Sequence, residues 1–105
     1  MNNKSYVLEV AIFKVKNEFI NQLPSIRDGL RAALKDFAGL LALDTFSPVN
    51  NNRIFADIAK WDTLENAQIA AKAFESGDSR FLPYMQAIEE VDFMGHFIPE
   101  FGESL

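Results

Sequence analysis

His96 is the only histidine of the chain and the side chain that titrates closest to neutral pH. Placed on a strand, it could act as a general base that removes a phenolic or enolic proton. It could equally be a structural histidine, hydrogen-bonded at a sheet edge or at a seam between subunits. Three acids, Glu9, Asp44 and Asp57, interrupt otherwise apolar runs. A carboxyl in such a setting must meet a partner, face water or hold its proton more tightly. One reading brings all three into a single pocket, with Asp57 beside His96 as a catalytic group and Glu9 and Asp44 binding the ligand. The other pairs Asp57 with Arg53 or Lys60 and Glu9 with Lys14 or Arg31. Trp61, Phe74, Phe81, Tyr84 and Met85 would form an aromatic wall for a flat apolar ligand, the Tyr84 hydroxyl and the Trp61 N–H orienting it. The same residues also suit plain core packing.

Several chemistries are disfavoured. There is no cysteine, so disulfides, thiolate metal sites and a thiol nucleophile are excluded. One histidine and carboxylates without ligand spacing give no support to a metal site. Gly77 and Gly95 stand alone, so no glycine-rich loop cradles a phosphate, and no serine sits in a nucleophile elbow. A formal charge of −5 makes nucleic acid and anionic membrane poor partners. No window reaches the length of a membrane span, and residues 1–6 do not lead into a secretory apolar core, so a cytoplasmic location is the expectation.

The elements that must position these residues follow from periodicity. At 105 residues, with 49% hydrophobic and 24% charged side chains, the composition is that of one compact domain, and ten phenylalanines point to a core rich in rings. Residues 6–15 are apolar in both alternating sets, with Tyr6, Leu8, Val10 and Ile12 on one face and Val7, Ala11, Phe13 and Val15 on the other. That is a strand covered on both sides. Steps of three and four through Phe19, Leu23, Ile26, Leu30, Ala33 or Leu34, and Phe37 predict a helix over 17–37, capped by Asn17, with Pro24 and Gly29 able to kink it or delay its start. Residues 40–46 and 53–61 read as strands joined by the turn-forming stretch 48–52. Asp62 and Glu65 have the spacing of a capping box, and Leu64, Ala67, Ala71 and Phe74 give the stripe of the second helix. Residues 76–78 interrupt it, Phe81, Tyr84 or Met85, and Ile88 resume the helical spacing, and 91–98 form the last strand. The tail 102–105 reads as loose.

The order strand, helix, strand, strand, helix, strand predicts an α+β sandwich of four antiparallel strands with both helices on one face. All four strands are nevertheless apolar in both sets. The uncovered face must then be buried too, most simply against a second copy of the chain.

At this point the chain resembles the dimeric α/β-barrel superfamily, in particular its antibiotic biosynthesis monooxygenase-like group. Phe37-Ala38-Gly39-Leu40 resembles the turn into that group's second strand. Lys60-Trp61-Asp62 with Leu64-Glu65-Asn66-Ala67 resembles its strand-to-helix step, and Met94-Gly95-His96-Phe97 its last strand. The resemblance implies a ferredoxin-like βαββαβ domain over residues 1–105, pairing into a dimeric barrel, with a small apolar or aromatic ligand between sheet and helices. Members include oxygenases that use no cofactor, and such a mechanism calls for neither metal nor flavin: the protein orients, deprotonates and excludes water. Other members cleave haem with an Asn on the first strand and a Trp and a His on the second helix. This chain has Glu9 and Ala70-Ala71 there, which argues against haem degradation. Three roles follow as expectations: a cofactor-independent monooxygenase, a non-catalytic binder of a small apolar metabolite, or a structural, stress-related dimer whose pocket is filled by its own side chains.

Overall fold

Pro24 decides where the first helix begins. Proline has no amide hydrogen to give and is tolerated in the first helical turn, where none is needed. In the computed structural model, which describes residues 5–100, α1 (Leu23–Leu34) starts with Pro24 in that turn, and Asn17–Gln22 form a 3-10 segment instead. The helix expected over 17–37 is therefore divided. Asn17 is not its cap, since Lys16 holds the position before the 3-10 turn and no side chain caps it. Phe37 lies beyond the helix and stacks on Phe81 at 5.8 Å between ring centroids. The tail 102–105 lies outside the described residues.

The four strands are β1 (Val7–Val15), β2 (Leu40–Phe46), β3 (Ile54–Trp61) and β4 (Ile88–Phe97), in the order β2-β3-β1-β4 with every neighbouring pair antiparallel. This is the ferredoxin-like arrangement. β4 begins at Ile88 rather than at residue 91, because an irregularity between Lys14 and Val15 brings Ile88 opposite Val15. Between β3 and β4 lie α2 (Leu64–Glu75), a short 3-10 turn (Ser79–Phe81) and α3 (Leu82–Ala87). The cap of α2 is Thr63, whose hydroxyl accepts from the Asn66 amide at 3.1 Å. Asp62 lies one residue ahead of that position, at the end of the sheet, where its amide donates to the Gly39 carbonyl at 2.9 Å. Its carboxylate instead accepts from the Asn66 side chain at 2.8 Å.

Gly39 is held in the left-handed region at φ +93°, and a Cβ there would meet Asp62 Oδ1 and stand 2.5 Å from Asn66 Nδ2. Only glycine satisfies both the torsion and the close approach.

Side-chain alternation separates the two sheet faces. Val7, Glu9, Ala11, Phe13 and Val15 of β1 and Phe55, Asp57, Ala59 and Trp61 of β3 turn toward the helices and are buried, apart from the half-buried Ala11. Leu23, Leu30, Ala33 and Leu34 of α1, Ala67 and Ala70 of α2, and Phe81, Tyr84 and Ala87 complete this core. Leu64, expected on the buried stripe of α2, stands 45% exposed in its first turn. The other face carries Leu8, Val10 and Ile12, with Ile54, Ala56 and Ile58 opposite them or beside them, and none of the described helices lies over it. Phe93 and Phe97 extend it on β4, their rings 5.9 Å apart across Gly95, where a Cβ would come within 2.8 Å of the Phe93 ring.

Candidate functional site

A cavity of about 280 Å³ lies between the helix-covered face and α2 and α3. Its wall is almost wholly apolar. Ala11, Ala59, Ala70 and Ala71 leave the space, and Phe13, Phe74 and Phe81 form the rings around it. Small side chains on both the sheet and α2 explain why these rings do not fill this volume. Three polar groups, Glu9, Asp57 and Tyr84, reach the wall from inside the fold, and the exposed Glu75 stands at the rim.

Asp57 is held by two partners. Arg27 Nη2 of α1 lies 2.6 Å from its Oδ1, and the Tyr84 hydroxyl donates to its Oδ2 at 2.6 Å. Arg27 also donates to the Phe46 carbonyl at 3.2 Å and sits over the Phe55 ring at 5.1 Å. Its Nε is buried without a partner among the described residues. Burial, with Asp57 close by, raises the Tyr84 phenol well above its ordinary value of 10.0. The hydroxyl therefore keeps its proton and stays turned to Asp57.

Glu9 has a different pair of partners. Trp61 Nε1 donates to its Oε1 at 3.2 Å, and His96 Nε2 lies 3.1 Å from its Oε2. The register produces this arrangement: His96 on β4 stands directly across from Glu9, and Trp61 lies diagonally across on β3, past the small Ala59. Burial raises the Glu9 carboxyl above its ordinary value of 4.5, against the opposing pull of His96 and the indole hydrogen bond.

The expectation that three acids share one pocket is met by two. Asp44 pairs across to Ile58 on the open face and is exposed, because β2 places Leu43 rather than Asp44 toward the helices. Of the aromatic wall, Phe74, Phe81 and Tyr84 line the cavity. Trp61 is fully buried behind Glu9, and Met85 packs against the core without lining the cavity. His96 is not a lining residue; it reaches the cavity through Glu9. None of the anticipated ion pairs of Glu9 and Asp57 forms. The residue missed was Arg27, four after Leu23 and three before Leu30 on the apolar stripe of α1, a spacing that marks a buried charge in need of a carboxylate. No group of His and acid residues among those described could hold a metal ion, and no described helix is long and apolar enough to cross a membrane.

Strand order and helix placement together define a class: a ferredoxin-like α+β domain. No family model matches the chain, and no curated protein matches it. Among solved structures, a candidate antibiotic biosynthesis monooxygenase from Bordetella bronchiseptica superposes with a TM-score of 0.78 at 10% identity, over 93% of this chain and 100% of that one. SnoaB from Streptomyces nogalater, a cofactor-independent oxygenase, gives 0.65 at 17% identity over 95% of this chain and 96% of its own. A dimeric ferredoxin-like protein from an uncultured marine organism gives 0.62 at 16% over 96% and 95%. The likeness is one of fold.

Proposed function

We propose that the chain works as a homodimer joined through its open sheet face, and that each protomer oxidises a small, flat carbon acid or phenol in its cavity with molecular oxygen. The observation that carries this reading is the apolar cavity of about 280 Å³ with the buried carboxyl of Glu9 in its wall. That volume lies just below the ~300–1,000 Å³ of pockets for drug-sized ligands, which favours a small ring system over an extended one. The named activity of SnoaB supports the reaction type, and the dimeric neighbour supports the assembly.

Glu9 is better suited to take the proton than Asp57 or His96. Protonating Asp57 would strand the Arg27 guanidinium, whereas Glu9 has only neutral or titratable partners. In the reaction, a ring-activated CH2 gives one proton to Glu9, and the carbanion passes electrons to O2. A C–O bond forms. The peroxide anion takes the proton back from Glu9, and the hydroperoxide loses water across its O–O bond as the second C–H proton leaves, so CH2 and O2 become C=O and H2O. The apolar walls keep bulk water from the carbanion, and the lone pairs of the Tyr84 oxygen orient a ligand hydroxyl. Because both carboxyls already have partners, binding without turnover is a second reading of the same cavity.

A series of ring-fused ketones and phenols incubated under ¹⁸O2 tests the proposal. One labelled oxygen in the product, lost in Ala71→Phe, which fills the cavity, is the expected result. Binding without oxygen uptake across the series would leave only the second reading. Light scattering should give a doubled mass that Ile58→Glu on the open face halves.

A further inference from the structure

A buried base must begin each turnover without its proton, so Glu9 needs a path along which its proton equilibrates with water. We propose that His96 and Glu9 form a proton relay, in which His96 carries the proton of Glu9 to and from solvent at the sheet edge and so readies the carboxylate for the ligand. The proposal rests on the reading of Glu9 as the base of the cavity.

The geometry sets a gradient from inside to outside. Glu9 belongs to the central strand β1, lines the cavity and has a side chain 11% exposed. His96 belongs to the edge strand β4, does not line the cavity, and has a side chain 25% exposed. Their 3.1 Å separation is a hydrogen-bond distance that either proton location can use. His96 shares the helix-covered side of the sheet with Glu9, so pairing of two copies through the opposite face leaves this exit open.

With a ligand in the mouth of the cavity, the other described protein groups around Glu9 offer no second relay. Trp61 only donates, and its indole is fully buried. Asp57 on β3 is closed off by Arg27 and Tyr84, and Tyr84 on α3 holds its proton toward Asp57. From α2 the wall presents Ala70, Ala71 and Phe74, with Glu75 at the rim, while the described hydrogen bonds of Glu9 go to Trp61 and His96. The ring of His96 is thus the titratable group that both touches Glu9 and meets water, which makes it a relay and positioning residue, while the base itself is Glu9.

The test is a pH jump from a photolysed caged proton, followed by the infrared carboxyl band of Glu9, which is identified by its loss in Glu9→Gln. His96→Gln keeps a donor to Glu9 but cannot carry a proton through its ring. The expected result is protonation of Glu9 slowed roughly 100-fold or more in His96→Gln and restored by added imidazole. Unchanged kinetics in His96→Gln would overturn the relay, as would a slowing that imidazole does not relieve, or the absence of a titrating Glu9 band. The readout needs no substrate. A chain that oxidises nothing in the ¹⁸O2 series but shows the imidazole-rescued slowing would retain the relay and lose the oxidation.

Discussion

Asp57 and Glu9 lie on neighbouring strands, on the same face of the sheet and in the wall of the same cavity, and both are buried. They differ in what answers their charge. Asp57 faces a guanidinium, which stays protonated across the working range, and a phenol that burial keeps neutral. Glu9 faces an indole N–H and an imidazole that can itself gain or lose a proton. The lesson is that burial alone does not make a carboxyl chemically active. A fixed cation turns it into scaffolding, and a titratable partner leaves it free to exchange.

The largest expected effect breaks the Asp57 side of this contrast. Arg27→Ala removes one half of an ion pair whose side chains are 10% and 5% exposed, leaving a buried carboxylate without its counter-charge. Unfolding in urea should show a loss of about 3–5 kcal/mol. Tyr84→Phe takes only the neutral partner from Asp57, and the same measurement should give about 1–3 kcal/mol.

Glu9→Gln should change stability less, and in a pH-dependent way. The folded chain holds the Glu9 proton more tightly than the unfolded chain does. The stability that this proton linkage supplies is fully present below the ordinary carboxyl value of 4.5 and is lost as pH rises through the higher folded value. Thermal melts across that rise should therefore fall more steeply for the wild type than for Glu9→Gln, and equal slopes would erase the distinction between the two acids. Asp44→Asn, on the other face of the sheet and outside the cavity, should leave ligand binding unchanged in calorimetric titration.

The fold was legible because strand alternation and helical spacing are carried by many residues at once. Losing Leu64 from a stripe or shifting the start of β4 to Ile88 alters an edge and not the topology. The site was less legible because it depends on register. Glu9, Asp44 and Asp57 looked alike as acids within apolar runs, yet one step of alternation sends Asp44 to the opposite face. That His96 meets Glu9 follows from a cross-strand pairing that no local pattern encodes. Arg27 was visible in principle, as a charge on the apolar stripe of α1, but its partner Asp57 lies thirty residues away in the chain. The cavity itself comes from alanines on two elements, and alanine reads equally well as tight packing or as room.

Gly39 does not line the cavity, yet its torsion and its contacts with Asp62 and Asn66 admit no side chain. In a saturation-mutagenesis screen scored by activity, this position should therefore show the same intolerance as Glu9. Abundance measured alongside activity separates them: substitutions at Gly39 should deplete the protein, while Glu9→Gln should leave its amount intact and remove only the proposed turnover.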